Sequence, residues 1–160
     1  MEGFEGQLYL KQVDNRNFEV VKTLIFRGRH ENFFVPEGFV TDLASVPKFL
    51  WWLFSPYGSY TMAAVLHDML WRASKGLESP GPVKDPKDVD GLFRRSMRLS
   101  GTGFFTRWLM WGGVRWAAII SGRVGSMQRK DWMHLFLVTL LSLTPVLTIF
   151  LIVVLLKAVI

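Results

Sequence analysis

GQLYLKQVDNRNFEVVKTLIF, residues 6–26, is the stretch on which the fold class turns. GQLYLKQV (6–13) alternates apolar and polar side chains, the period of a strand with one buried face. Asp14-Asn15-Arg16-Asn17 supplies turn formers, and FEVVKTLIF (18–26) resumes with β-branched and aromatic residues. A third short run, NFFV (32–35), leads into the turn signal Pro36-Glu37-Gly38. The reading is a small antiparallel β-meander at the N-terminal end.

Further along, the period changes. VTDLASVPKFLWWLFSP (40–56) is mixed, but TMAAVLHDMLWRAS (61–74) is helical, with Met62, Leu66, Met69 and Ala73 on one stripe. Lys75-Gly76 ends that helix, and the glycines and prolines of 76–86 make a loop. Asp85 is placed to cap a second helix, with Pro86 as its first residue. Its inner side should carry Val89, Leu92, Phe93, Ser96 and Leu99 or Ser100, and Gly101 should close it. The expected class is α+β, with residues 1–103 as one domain.

The 160 residues suit one such domain. Half of them are hydrophobic, which argues against a disordered chain. There is no cysteine, so disulfides, thiolate metal sites and cysteine nucleophiles are excluded. The net charge of +6 is segregated. Residues 1–90 carry ten Lys/Arg against twelve Asp/Glu, while residues 91–130 carry eight basic residues and no acid. Such a block points to an anionic partner. No helix-turn-helix, finger or stacking-sheet pattern accompanies it, so no nucleic acid partner is expected.

Two C-terminal stretches read as membrane elements. Residues 135–156, LFLVTLLSLTPVLTIFLIVVLL, contain no charge, and at ~1.5 Å per residue they would reach about 33 Å. The hydroxyls of Thr139, Ser142, Thr144 and Thr148 can bond back to the preceding turn, and Pro145 would kink the helix. Arg123, Arg129 and Lys130 precede the run and only Lys157 follows it. The positive-inside rule then places residues 1–130 in the cytoplasm and the C-terminus outside, as a tail anchor in the inner (cytoplasmic) membrane. No leader is expected, because Met1-Glu2-Gly3-Phe4-Glu5 is acidic and lacks an apolar run. FFTRWLMWGGVRWAAII (104–120) carries Trp108, Trp111 and Trp116 with Arg107 and Arg115, the composition of an interfacial helix or of a core helix with arginines at its edge. Gly112-Gly113 should kink or break it. The expected organisation is therefore a domain (1–103), a Trp/Arg-rich amphipathic surface helix with a basic linker (104–130) and a single transmembrane anchor (131–160). The expected partners are the lipid bilayer, anionic headgroups meeting the Arg/Lys of 94–130, and other proteins of the envelope.

Four polar residues could carry chemistry: Asp42, His67, Asp68 and Asp90. His67 could act as a general base, with Asp90 and Asp42 as further catalytic groups and Asp68 as a metal ligand. Small residues one turn earlier, Ala63 and Ala64, leave room beside His67 and Asp68. The plainer reading makes Asp68–Arg72 and Asp90–Arg94 ion pairs at i, i+4, Asp42 a turn cap and His67 a core histidine. Ser45 is the nearest candidate nucleophile, without a nucleophile elbow, phosphate loop or zincin motif beside it.

These residues resemble a family of domains of unknown function found in tailed bacteriophages and prophages. Its motifs are P-x-G-F-x-T-D-x-A-S-x-P, A-A-x-x-H-D and A-D-x-x-F-x-x-A-M. Residues 36–47 and 63–68 match the first two in full, and 89–97 match the third with Val89 and Ser96 in place of alanines. The resemblance implies a phage or prophage origin and no established reaction. A shorter stretch, His67-Asp68-x-x-Trp71 with Asp90 beyond it, is similar to the histidine–aspartate helix of secreted phospholipases of the A2 type. That likeness implies His67 as base, Asp68 as calcium ligand and Asp90 as orienting carboxylate. The chain departs from it in having no cysteines, no glycine-rich calcium loop and Trp71 where a tyrosine would stand. The function expected first is a single-span phage accessory protein at the host envelope. The alternatives are a metal-assisted, phospholipase-like hydrolase, with calcium as its cofactor, and a virion component.

Overall fold

The structure is a computed structural model, and it describes residues 2–43, 57–76, 85–122 and 127–159. Six short strands come first: β1 (Gly3–Glu5), β2 (Leu10–Gln12), β3 (Phe18–Val20), β4 (Leu24–Arg27), β5 (Asn32–Val35) and β6 (Val40–Thr41). Four helices follow: α1 (Thr61–Ser74), α2 (Pro86–Leu99), α3 (Phe104–Ile120) and α4 (Arg129–Val159). The strands form two antiparallel three-stranded sheets, ordered β1-β4-β5 and β2-β3-β6. The α+β class therefore holds, but the expected single meander is two sheets.

The division falls inside FEVVKTLIF. Val20, Leu24 and Phe26 are buried on one parity of the strand, and Lys22 occupies the same parity between them. A lysine cannot follow its neighbours into an apolar core, so the chain bends at Val21-Lys22 and re-enters in the second sheet. Hydrogen bonds pin the corner: Val20 N donates to Phe39 O at 2.9 Å, Gly38 N to Val20 O at 2.8 Å and Val21 N to Tyr9 O at 2.9 Å. The turn before β3 forms as expected. Asp14 Oδ1 accepts from the N–H groups of Arg16 (2.8 Å) and Asn17 (2.9 Å), and its Oδ2 accepts from the Asn17 side chain.

One core joins the two sheets to α1. Val20, Leu24, Phe26, Val35 and Phe39 pack with Val65, Leu66, Met69, Leu70 and Ala73. The opposite side of α1, at Ala63 and Ala64, meets Tyr60 and the α2 residues Phe93 and Met97. Asp85 caps α2 as expected, accepting from Lys87 N at 2.8 Å with Pro86 in the first turn. At the other end Thr102 N donates to Met97 O and Gly101 N to Arg98 O, with Gly101 at φ 76°, a Schellman closure. The inner stripe of α2 runs through Val89, Phe93, Ser96 and Met97, while Leu99 faces outward.

Two expectations about the last helices are corrected. Gly112-Gly113 does not break α3, which is continuous. Gly112 is instead where α4 approaches: a Cβ added there would lie 2.8 Å from Val138 Cγ1. The second correction concerns the transmembrane anchor expected at 135–156, and with it the tail-anchored arrangement, the inner-membrane location and the cytoplasmic placement of residues 1–130. Among the described residues, no helix is long and apolar enough to cross a membrane. The physical reason lies in how α4 is built. It opens on Arg129-Lys130-Asp131, and its first turns are engaged with other helices. Asp131 pairs with Lys87 at 3.1 Å, the His134 ring lies 5.6 Å from that of Trp108, and Trp116 Nε1 donates to Thr139 Oγ1 at 2.9 Å. The expected back-bonds of Thr139, Ser142, Thr144 and Thr148 are all present at 2.8 Å.

Two predictions test this packing. Gly112→Ala gains up to ~1 kcal/mol in helix propensity but overpacks the contact with Val138, at a cost of ~1–3 kcal/mol. A net loss in urea unfolding is expected, and Val138→Ala in the same chain should restore it. The second concerns Asp14, whose carboxyl is held below the usual carboxylate range by the Arg16 N–H and then by Asn17. A depressed carboxylate stabilises the fold above its unfolded pKa and loses that contribution as pH falls through the folded value. Asp14→Ala should therefore be less stable than wild type at neutral pH, with the gap closing in acid.

Candidate functional site

Three helices converge on one carboxylate. Asp90, in the second turn of α2, is fully buried, and both of its oxygens are engaged. His67 Nε2, from α1, lies 2.7 Å from Oδ1, and Arg115 Nη1, from α3, donates to Oδ2 at 2.7 Å. A buried carboxylate is tolerated when charge-assisted bonds replace its water, and here two do. Arg115 is itself 1% exposed, so the pair is shielded from solvent screening. Arg115 Nη2 also approaches Met127 Sδ at 2.7 Å.

The His67 ring is held between aromatic neighbours, stacked on Trp71 at 6.1 Å and tilted against Phe93 at 4.7 Å. Its side chain is 14% exposed. A neutral imidazole donating from Nε2 to Asp90 would keep Nδ1 as the basic nitrogen. The arrangement can therefore do two things. It can tie α1, α2 and α3 together, and it can orient a histidine that is not entirely enclosed.

The structure thus brings together His67 and Asp90 of the four expected site residues. Asp68 is turned to Arg72, which donates from Nε at 3.0 Å and from Nη2 at 2.9 Å in a two-pronged pair on the same helix. Asp42 follows β6 and is exposed. The turn there is held by its buried neighbour Thr41, whose Oγ1 accepts from Leu43 N at 3.0 Å while Leu43 adopts φ 63°. Ser45 lies outside the described residues. Among the described residues, no three His, Asp or Glu side chains gather as a metal ion would require. Where a calcium loop would precede α1, Gly58 N donates to Thr61 Oγ1 at 2.9 Å and Thr61 N to Gly58 O at 3.0 Å, a closed turn.

Sequence reasoning missed Arg115. It was visible as one of two cations in an apolar helical stretch within a block that contains no acid. Such a residue either faces solvent or takes a carboxylate from another element, and helical spacing alone does not say which. The expected Asp90–Arg94 pair is replaced for the same reason: Asp90 turns inward to Arg115, and Arg94 lies over the Trp108 ring at 4.2 Å.

A two-sheet α+β unit with a His–Asp–Arg tie buried between its helices is the class that this geometry defines. Residues 18–114 match the family described as protein of unknown function (DUF1353), and the chain belongs to that family. That range takes in β3 through most of α3, and so holds His67 and Asp90 but stops one residue short of Arg115. No curated protein and no solved structure matched the chain.

Arg115→Met should leave Asp90 buried with one partner and destabilise the chain by ~3–5 kcal/mol in denaturant unfolding. Adding Asp90→Asn to that variant should cost much less than the two single losses combined, because the charge left stranded is removed.

Proposed function

We propose that this chain is a non-catalytic accessory protein of phage or prophage origin, a binding module whose His67–Asp90–Arg115 set serves as framework. The observation that carries this reading is the double engagement of Asp90, at 2.7 Å to each of two helices. A carboxylate bridging two donors in the interior fixes helix orientation, and it has no oxygen turned toward a reactant. Asp68, taken up by Arg72, fits the same reading. The phage origin rests on the resemblance of residues 36–47, 63–68 and 89–97 to the motifs described above. The partner on this reading is another phage or host protein, or an anionic group met by the basic residues of 94–130.

A second reading has one observation in its favour. Asp90 orients His67 through Nε2 while the ring keeps 14% of its side-chain surface, which is how a general base is held. On that reading His67 activates water in a phospholipase-like hydrolysis and Asp90 positions it, while Asp68, held by Arg72, does not join them and no calcium site is gathered among the described residues.

The full chain should be assayed for release of fatty acid from mixed phospholipid micelles, with and without calcium, beside His67→Gln and Asp90→Asn. No turnover is expected under either condition, together with lowered melting temperatures in both variants. Calcium-dependent turnover by wild type that His67→Gln abolishes, in a chain that still folds, would overturn the framework reading in favour of the hydrolase.

A further inference from the structure

The cation block of α2 does not all turn inward. A cavity of about 430 Å³ is lined by Arg29, Arg94, Arg95, Arg98, Arg107 and Trp108, among others. Five guanidinium groups from three parts of the chain meet there: the β4–β5 connection, the middle of α2 and the first turns of α3. Among the described residues, no Asp or Glu lines the cavity. Glu2 reaches its edge, pairing with Arg95 and lying 3.9 Å from Arg29 Nε. Among the described residues, no carboxylate forms an ion pair with Arg94, Arg98 or Arg107.

Like charges placed this way repel. Arg94 and Arg98 are one helical turn apart, a spacing that destabilises an isolated helix when both carry the same sign. Burial, and then the charges of Arg107 and Arg98, press against the protonated form of Arg94. The groups are nevertheless held in place. Arg94 lies 4.2 Å from the Trp108 ring centre and 5.5 Å from that of Trp111, and Arg107 lies 5.7 Å from that of Phe104 while donating to Thr102 O at 3.4 Å. Ring faces fix the guanidinium planes without neutralising them. Gly91 opens the wall between them: a Cβ there would meet nothing within 4 Å.

We propose that this arginine-lined cavity binds a phosphate group, free or at the end of a larger molecule. Guanidinium forks match the oxygens of a phosphate in pairs, and a multiply charged tetrahedral anion relieves the mutual repulsion that Glu2 and Asp131 answer only in part. A concave site rather than a track favours a single phosphate group over a polymer backbone. Trp108 gives a base no free platform, since Arg94, Trp111 and His134 already lie against it. The inference is independent of whether His67 turns over a substrate, because the variants that test it leave His67, Asp90 and Arg115 untouched.

The full chain should be titrated calorimetrically with inorganic phosphate at low ionic strength, and sedimented with vesicles of phosphatidylcholine with and without phosphatidic acid. Two variants accompany it. Arg98→Gln removes one cation, and Gly91→Phe fills the cavity at an exposed helical position while every arginine remains. Saturable binding by wild type, weakened at least tenfold in Arg98→Gln and lost in Gly91→Phe at unchanged melting temperature, is the expected result. Binding of free phosphate alone names a soluble phosphate as the source. Binding to phosphatidic acid vesicles that both variants lose and free phosphate competes away names a lipid headgroup. Absence of saturable binding to either probe, or binding that Gly91→Phe leaves intact, overturns the proposal. So does tight binding of a single-stranded oligonucleotide that Gly91→Phe does not weaken, which would make the arginines a nucleic acid surface.

Discussion

The carboxylate of Asp90 sits where three helices meet, and its requirements govern how they are arranged. An ionised carboxylate removed from water needs donors at fixed distance, and α2 alone cannot supply them. One comes from α1 through His67 and the other from α3 through Arg115, each at 2.7 Å. The rotation of each helix about its axis is thereby set. Once α1 is turned to present His67 to α2, its other face presents Leu66, Met69, Leu70 and Ala73 to the two sheets. Once α3 is turned to bury Arg115, Gly112 on the same helix lies against Val138 of α4. Apolar contacts tolerate sliding and repacking, whereas a bridged carboxylate does not, and so a short polar bond fixes the register of a largely apolar assembly.

Much of this order is legible in the residues, and the failures are physical. Local signals hold: Asp14-Asn15-Arg16-Asn17 turns, Asp85 and Pro86 start α2, and Gly101 closes it, because each acts within one turn of chain. The division of FEVVKTLIF into two sheets was written in Lys22, whose charge sits on the buried parity of the strand, but composition averaged it away. The His67–Asp90 pairing was only half legible. The residues could be named, but their approach depends on how two helices cross, which helical period does not specify. Arg115 was harder still, because nothing in its own helical stretch marks it for an interior carboxylate on another helix rather than for solvent.

Tryptophan and arginine in one apolar stretch have two solutions, and composition alone does not separate them. The pattern at 104–120 fits an interface between water and lipid, where rings and guanidinium groups sit at a polar boundary. It also fits a core helix with arginines at its edge. In α3, Trp111 and Arg115 are buried and Trp108 stacks with Arg94 of the neighbouring helix, while Phe104, Phe105 and Ile120 stay exposed. Residues 135–156 misled in a similar way. A tally of uncharged positions does not register that the helix begins on three charges or that its first turns are bonded to α2 and α3.

The basic block of residues 91–130 then divides by what answers each charge. Arg115 is answered by a carboxylate, and Arg95 by Glu2. Arg94 and Arg107 are answered by aromatic faces, which orient a cation and leave its charge in place. The placement of Asp90 decides this division. It stands one helical turn before Arg94 and could have neutralised it, as i, i+4 pairs commonly do. Because Asp90 is drawn into the interior by His67 and Arg115, Arg94 is left without that acid and lies on Trp108 instead. The bridge that orders the helices thus also leaves the outer face of α2 positively charged. The framework on the inside and the arginine cavity on the outside are two consequences of one carboxylate's position.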